Sequence, residues 1–188
     1  MTMMTSPAKT TLRLRTAAAL TCAGITLAML AGCSPQPEPT PTETPLFASE
    51  EEAFAAAEET YRSYTAALND VDLNEPNTFE TLYRYSTGDF QVADRETFSE
   101  LHAESLTMVG EVAVVKFEGT NAEPPYSTIV AAVCVDVSGS DVLGEDGESR
   151  VAPSRPDINP LRVSFAVAHD EVLISRADRD ESIQCAGE

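Results

Sequence analysis

The segment from Tyr126 to Val137, YSTIVAAVCVDV, constrains the fold most, because it is the most apolar stretch outside the first thirty residues and is apolar at both alternating sets of positions. A strand with only one buried face would alternate apolar with polar residues, so this one is expected in the middle of a sheet with both faces covered. The flanking sequence supplies partners. Leu106 to Val109 and Glu111 to Glu118 are rich in Val, Phe and Thr and read as one strand with a bulge at Gly110. Leu161 to His169 and Glu171 to Ala177 read as a final hairpin turning at His169-Asp170, with Leu161, Val163, Phe165 and Val167 on one face and His169 at the end of that row.

Ahead of the strands the period changes to that of a helix. Ser49-Glu50-Glu51-Glu52 has the spacing of a capping box and sets acids at the positive end of a helix. Phe54, Ala57, Tyr61, Tyr64 and Leu68 then mark one buried stripe running to about Asn69. After a loop from Asp72 to Thr78, Phe79, Leu82 and Tyr83 define a short second helix that stops near Gly88. Phe90, Ala93, Thr97, Phe98 and Leu101 give the stripe of a third, with His102 at its far end as a boundary residue. Three helices followed by four antiparallel strands is an α+β order.

Ser138 to Pro160 reads as a long solvated connection carrying Asp141, Glu145, Asp146 and Glu148. A calcium loop starting at Asp136 would need Gly at 141 and Glu at 147, where the chain has Asp141 and Gly147, so no metal is expected there.

The N-terminal part has a separate logic. Lys9, Arg13 and Arg15 precede an apolar run from Ala17 to Leu30 without a single acid, the layout of a secretory signal. Fourteen helical residues would cover roughly 21 Å, short of a hydrocarbon core of about 30 Å, so a stable transmembrane helix is not expected. Leu30-Ala31-Gly32-Cys33 closes the run, and SPQPEPTPTETPLF follows it from Ser34 to Phe47. That proline-dense stretch cannot make a helix or a central strand and reads as a semi-extended tether, long enough to span about 40 Å.

The Leu-Ala-Gly-Cys tag resembles the bacterial lipoprotein signal. The resemblance implies diacylglyceryl transfer to Cys33, cleavage between Gly32 and Cys33, and attachment to the outer face of the cell membrane. Two acyl chains hold a bilayer stably where one binds only marginally. The expected organisation is a signal over 1–32, a lipidated Cys33 with a Pro/Thr-rich linker to residue 46, and a folded domain over 47–188.

Removing 32 of 188 residues leaves 156, enough for one domain with a single core. The formal charge is −19, and loss of the three basic residues of the signal would leave −22. A surface so acidic repels phosphate backbones, and no nucleic-acid partner is expected. Of four cysteines, Cys22 leaves with the signal and Cys33 carries lipid, so Cys134 and Cys185 remain. An even pair outside the cytoplasm reads as a disulfide rather than a metal site, since neither lies in a Cys-x-x-Cys or near a His.

The element order and the shapes of Ser49 to Leu68 and Tyr126 to Val137 resemble the nuclear-transport-factor-like (cystatin-like) cone fold. With its tag and tether, the whole chain is similar to small actinobacterial lipoproteins of unknown function. The cone resemblance implies a pocket between the first helix and the concave face of a curved sheet, used for catalysis by some members and for binding or oligomerisation by others. Tyr61, Tyr64, Asp136 and His169 are the candidates to line such a cavity, with an Asp136 to Arg162 ion pair as the structural alternative. No nucleophile elbow, phosphate loop or zinc motif is present, and no cofactor is expected. The function that fits is a noncatalytic binding or interaction domain, anchored to the membrane and facing an envelope protein or small ligand. A surface enzyme or small-molecule carrier using the cavity is the alternative.

Overall fold

The computed structural model describes residues 45–185. The expected signal over 1–32, Cys33 and the expected linker up to residue 44 lie outside them. Helix α1 (Glu50–Asn69) begins at Ser49, whose Oγ accepts from the Glu52 N–H at 3.3 Å, while the Glu52 carboxylate accepts from the Ala48 N–H at 2.9 Å. The exchange is a capping box displaced by one residue on its return arm. Ala53, Ala57, Tyr61 and Tyr64 form the buried face, and Phe54 and Leu68 are only half-buried. The stripe is therefore rotated slightly from the expected one, and the Phe54 ring lies directly on Gly119, where a Cβ would run into it.

A 3₁₀ turn (Pro76–Thr78) leads into α2 (Phe79–Tyr83), and α3 (Gly88–Ala103) follows, entered through Gly88 at φ +58°. The strands are β1 (Thr107–Val109), β2 (Ala113–Ala122), β3 (Thr128–Asp136), β4 (Asp141–Leu143), β5 (Ile158–Ala168) and β6 (Glu171–Arg179). The main sheet runs β2-β3-β5-β6, all antiparallel, with β3 inside as its two-sided apolarity requires. The fold is α+β, three helices on a four-stranded antiparallel sheet.

Two expectations need correcting. The segment from Leu106 to Glu118 is not one strand: β1 leaves the main sheet and pairs with β4, inside the supposed loop. Gly110 is the crossing point instead of a bulge, since at φ +78° a Cβ there would strike the Gly139 carbonyl oxygen. The register shifts of β2 fall between Val114 and Lys116 and between Gly119 and Asn121. The connection from Ser138 is accordingly shorter, with β5 starting at Ile158.

Phe165, Leu82, Ile129, Ile174, Val133 and Val163 are fully buried and form the centre of the core. The outer edge of β6 is closed by the segment after α2: Ile174 N–H donates to the Tyr85 carbonyl at 2.9 Å and Thr87 N–H to the Ile174 carbonyl at 2.8 Å. That contact satisfies an edge otherwise open to another strand. At the other end of the sheet Cys134 and Cys185 are joined in a disulfide that spans 51 positions and ties the tail to β3. Among the described residues no helix is long and apolar enough to cross a membrane.

Candidate functional site

Beneath α1 the aromatic residues meet. Phe165 on β5 is contacted by Tyr61 at a centroid distance of 6.4 Å and by Phe117 of β2 at 6.2 Å, and Tyr64 packs edge-on to Phe90 of α3 at 5.4 Å. The space between α1 and the sheet is thus occupied by rings. Tyr61 and Tyr64 fall where the sequence reading put them, in the interior, but their partner is an acid it did not single out. The Tyr64 hydroxyl donates to Asp94 Oδ1 at 3.2 Å, and Asp94 Oδ2 is buried with no hydrogen-bond partner.

Burial raises the Asp94 pKa to about 6, against which the Tyr64 hydrogen bond works in the opposite sense. Burial first, and the Asp94 charge second, also push the Tyr61 and Tyr64 hydroxyls upward. Arg95, the next residue on α3, does not neutralise Asp94: its guanidinium sits 4.0 Å over the Tyr83 ring and reaches Glu80 at 3.4 Å. Within the cluster only the Asp94 carboxyl, held half-buried between α1 and α3, is shifted toward neutral pH, and the two tyrosines are shifted away from it. The expected α3 stripe placed Ala93 inside, and Ala93 is exposed. The signal was nonetheless present, because Asp94 stands four residues after Phe90 and four before Phe98, on their shared face.

Asp136 and His169 do not join the tyrosines. Phe165 pairs with Ile129, and Asp136 lies seven residues further along β3, a separation of about 23 Å. Its carboxylate accepts from the Ser138 N–H at 2.9 Å and the Ser138 hydroxyl at 2.6 Å, which hold its pKa below the usual range. Asp136 closes a local turn rather than facing a cavity. The structural alternative, an ion pair with Arg162, is not formed either: Arg162 Nε donates to Asp180 Oδ2 at 3.0 Å. His169 and Asp170 occupy a two-residue turn at φ +52° and +63°, joining β5 to β6, and both are exposed. His102 caps a loop, its Nδ1 lying 2.6 Å from the Leu73 carbonyl oxygen.

Two of the four acidic residues of the β4 region, Asp141 and Asp146, are engaged locally. Asp141 Oδ1 accepts from Ser149 Oγ at 2.7 Å, and Asp146 takes the Arg150 guanidinium at 2.7 Å. Among the described residues no three His, Cys, Asp or Glu side chains are grouped to hold a metal ion.

A second feature lies outside the sheet, where α1, β6 and the Tyr85 segment meet. An open groove of about 380 Å³ is lined by Phe47, Ala56, Thr60, Tyr85 and Val172, with Glu59 and Asp170 at its rim. Thr60 Oγ1 donates to the Val172 carbonyl at 3.2 Å and fixes the distance between helix and strand. Nothing in the sequence alone joined these residues, since they come from four separated segments.

Comparison with solved structures places this architecture in a known class. The chain is similar to a proposed aromatic ring hydroxylase from Novosphingobium aromaticivorans, with a TM-score of 0.50 and 15% identity over 74% of this chain and 96% of that one. The beta subunit of a proposed aromatic-ring-hydroxylating dioxygenase from the same organism matches at a TM-score of 0.46 and 13% identity, over 69% and 88% of the two chains. The intermembrane-space region of the chloroplast protein ARC6 matches at 0.48 and 10% identity, over 67% and 95%. At these identities the likeness concerns the fold, which is of the nuclear-transport-factor-like cone type. No family model and no curated protein matches the chain.

Proposed function

We propose that this chain is a lipoprotein held on the outer face of the cell membrane by diacylated Cys33, and that its cone domain is a noncatalytic binding or interaction module. The reading of the whole chain as similar to small lipoproteins of actinobacteria belongs to the same proposal. The observation that carries the noncatalytic part is the filled interior: Tyr61, Phe117 and Phe165 occupy the space beneath α1, and Asp136 and His169 stand away from it. General acid–base catalysis needs a titratable group within reach of a bound substrate. Asp94 titrates in a suitable range, but one of its oxygens is enclosed and the other is bonded to Tyr64. The Cys134–Cys185 disulfide supports an oxidising, extracytoplasmic location, because such bonds are rarely kept in a reducing cytosol.

Crosslinking in intact cells tests the role. A discrete protein partner recovered in repeated trials is the expected result. Recovery of membrane lipid alone would contradict an interaction module, and turnover of a small molecule by the purified chain, lost on Asp94→Asn, would restore the enzymatic alternative.

A further inference from the structure

The groove between α1 and β6 combines apolar side chains with an acidic rim. Its floor is apolar and aromatic, from Phe47, Ala56, Tyr85 and Val172, and Leu46 at its rim is one of the few large apolar side chains exposed on the described residues. A neighbouring recess of about 350 Å³ shares Thr60, Tyr85 and Val172 with it and extends the trough to Glu171 and Leu173.

The rim is net anionic, with Glu59, Asp170 and Glu171 set against the single guanidinium of Arg84. Glu59, Asp170 and Glu171 are exposed, and none pairs with a cation among the described residues. The nearest arginine along α1, Arg62, is taken by Glu58 at 2.8 Å, whereas Arg84 of the second recess reaches only the Thr81 hydroxyl at 3.5 Å and offsets one of the three carboxylates. Backbone groups beside the groove are already engaged, Ile174 of β6 with Tyr85 and Thr87 and the Val172 carbonyl with the Thr60 hydroxyl, which leaves little for strand pairing. What remains is recognition by side chains: an apolar body on the floor, positive charge at the rim, and a tyrosine ring available to a cation.

We infer that this trough receives a segment of a partner protein in which lysine or arginine alternates with apolar residues. The open form of the trough favours a segment lying along it, because small-ligand pockets enclose most of their ligand. The inference rests on the interaction-module reading and gives it a surface and a partner chemistry. Its failure is separable, because a protein partner crosslinked elsewhere on the domain would keep that reading while leaving the trough empty.

The test uses the full chain in detergent and a fluorescein-labelled peptide of alternating lysine and leucine, read by anisotropy. A chain this acidic attracts any polycation, so the comparison is between variants that remove equal charge. Glu59→Gln with Asp170→Asn should weaken binding about fivefold, and Glu96→Gln with Glu145→Gln, away from the trough, by less than about twofold. Leu46→Ser should weaken it as well, while a lysine–serine peptide should bind the unmodified chain less tightly than the lysine–leucine one. Equal losses from the two charge pairs, or no preference for leucine over serine, would overturn the inference. Saturable displacement of the peptide by hexylamine at comparable concentration would also overturn it, by assigning the trough to a small amine.

Discussion

The two ends of the main sheet are held by different physics. At the Ile129–Phe165 end α1 and α3 press rings into a continuous apolar core, and Asp94, an acid set against it, has one oxygen unpaired among the described residues. At the Asp136–Ile158 end the chain is fastened by short-range devices: Asp136 on Ser138, Arg162 on Asp180, Asp141 on Ser149, and the disulfide. The first end depends on shape, where a missing atom leaves a void; the second depends on local bonds, each replaceable and partly solvated, and on one covalent tie.

Phe165→Ala should be the largest blow, about 3–5 kcal/mol by chemical denaturation, because it opens a cavity that Tyr61 and Phe117 cannot both fill. A loss under about 1 kcal/mol would mean that the packed end is looser than the contacts imply. Replacing Cys134 and Cys185 together by serine should cost up to about 4 kcal/mol, the chain-entropy value for a loop of this length. The helical end should keep its protection from hydrogen exchange while the tail and the β1–β4 pair lose theirs. Loss of protection everywhere at once would merge the two ends into one cooperative unit.

Asp94 gives a finer contrast. Its carboxyl pKa is raised on folding to about 6, so the native state holds the proton more tightly than the unfolded chain. Burying the charged form therefore costs stability above that value, and the cost is relieved as pH falls through it. Relative to Asp94→Asn, the unmodified chain should gain about 1 kcal/mol between pH 7 and pH 5, the full shift being reduced because the group is partly solvated. Parallel pH profiles for the two would contradict the burial. Smallest of all, Ser49→Ala should cost about 1 kcal/mol through the lost cap of α1, seen as a lower melting temperature with the same unfolding cooperativity.

The same division explains what could be read from the residues alone. Ser49 with Glu52, the apolar run centred on Val133, and the pairing of Cys134 with Cys185 are statements about a few neighbouring residues or about a residue type, and each is found in the structure. The departure of β1 from the sheet depends on Gly110 meeting Gly139, a contact with no local signature. Asp94 was hidden for a different reason: its helical face was legible, but an acid on an apolar stripe is recognised as buried only when Tyr64 is known to face it. Asp136 looked interior because Val135 and Val137 flank it, whereas its position at the strand end leaves its carboxylate to the turn.

The account as a whole depends on the thiol of Cys33, through which an acidic, disulfide-bonded domain would act beyond the membrane. Mass spectrometry of the chain isolated from membranes of its native cell measures this directly. The predicted result is a polypeptide beginning at Cys33 and heavier by a diacylglyceryl group; one that begins at Met1 with an unmodified Cys33 would contradict it.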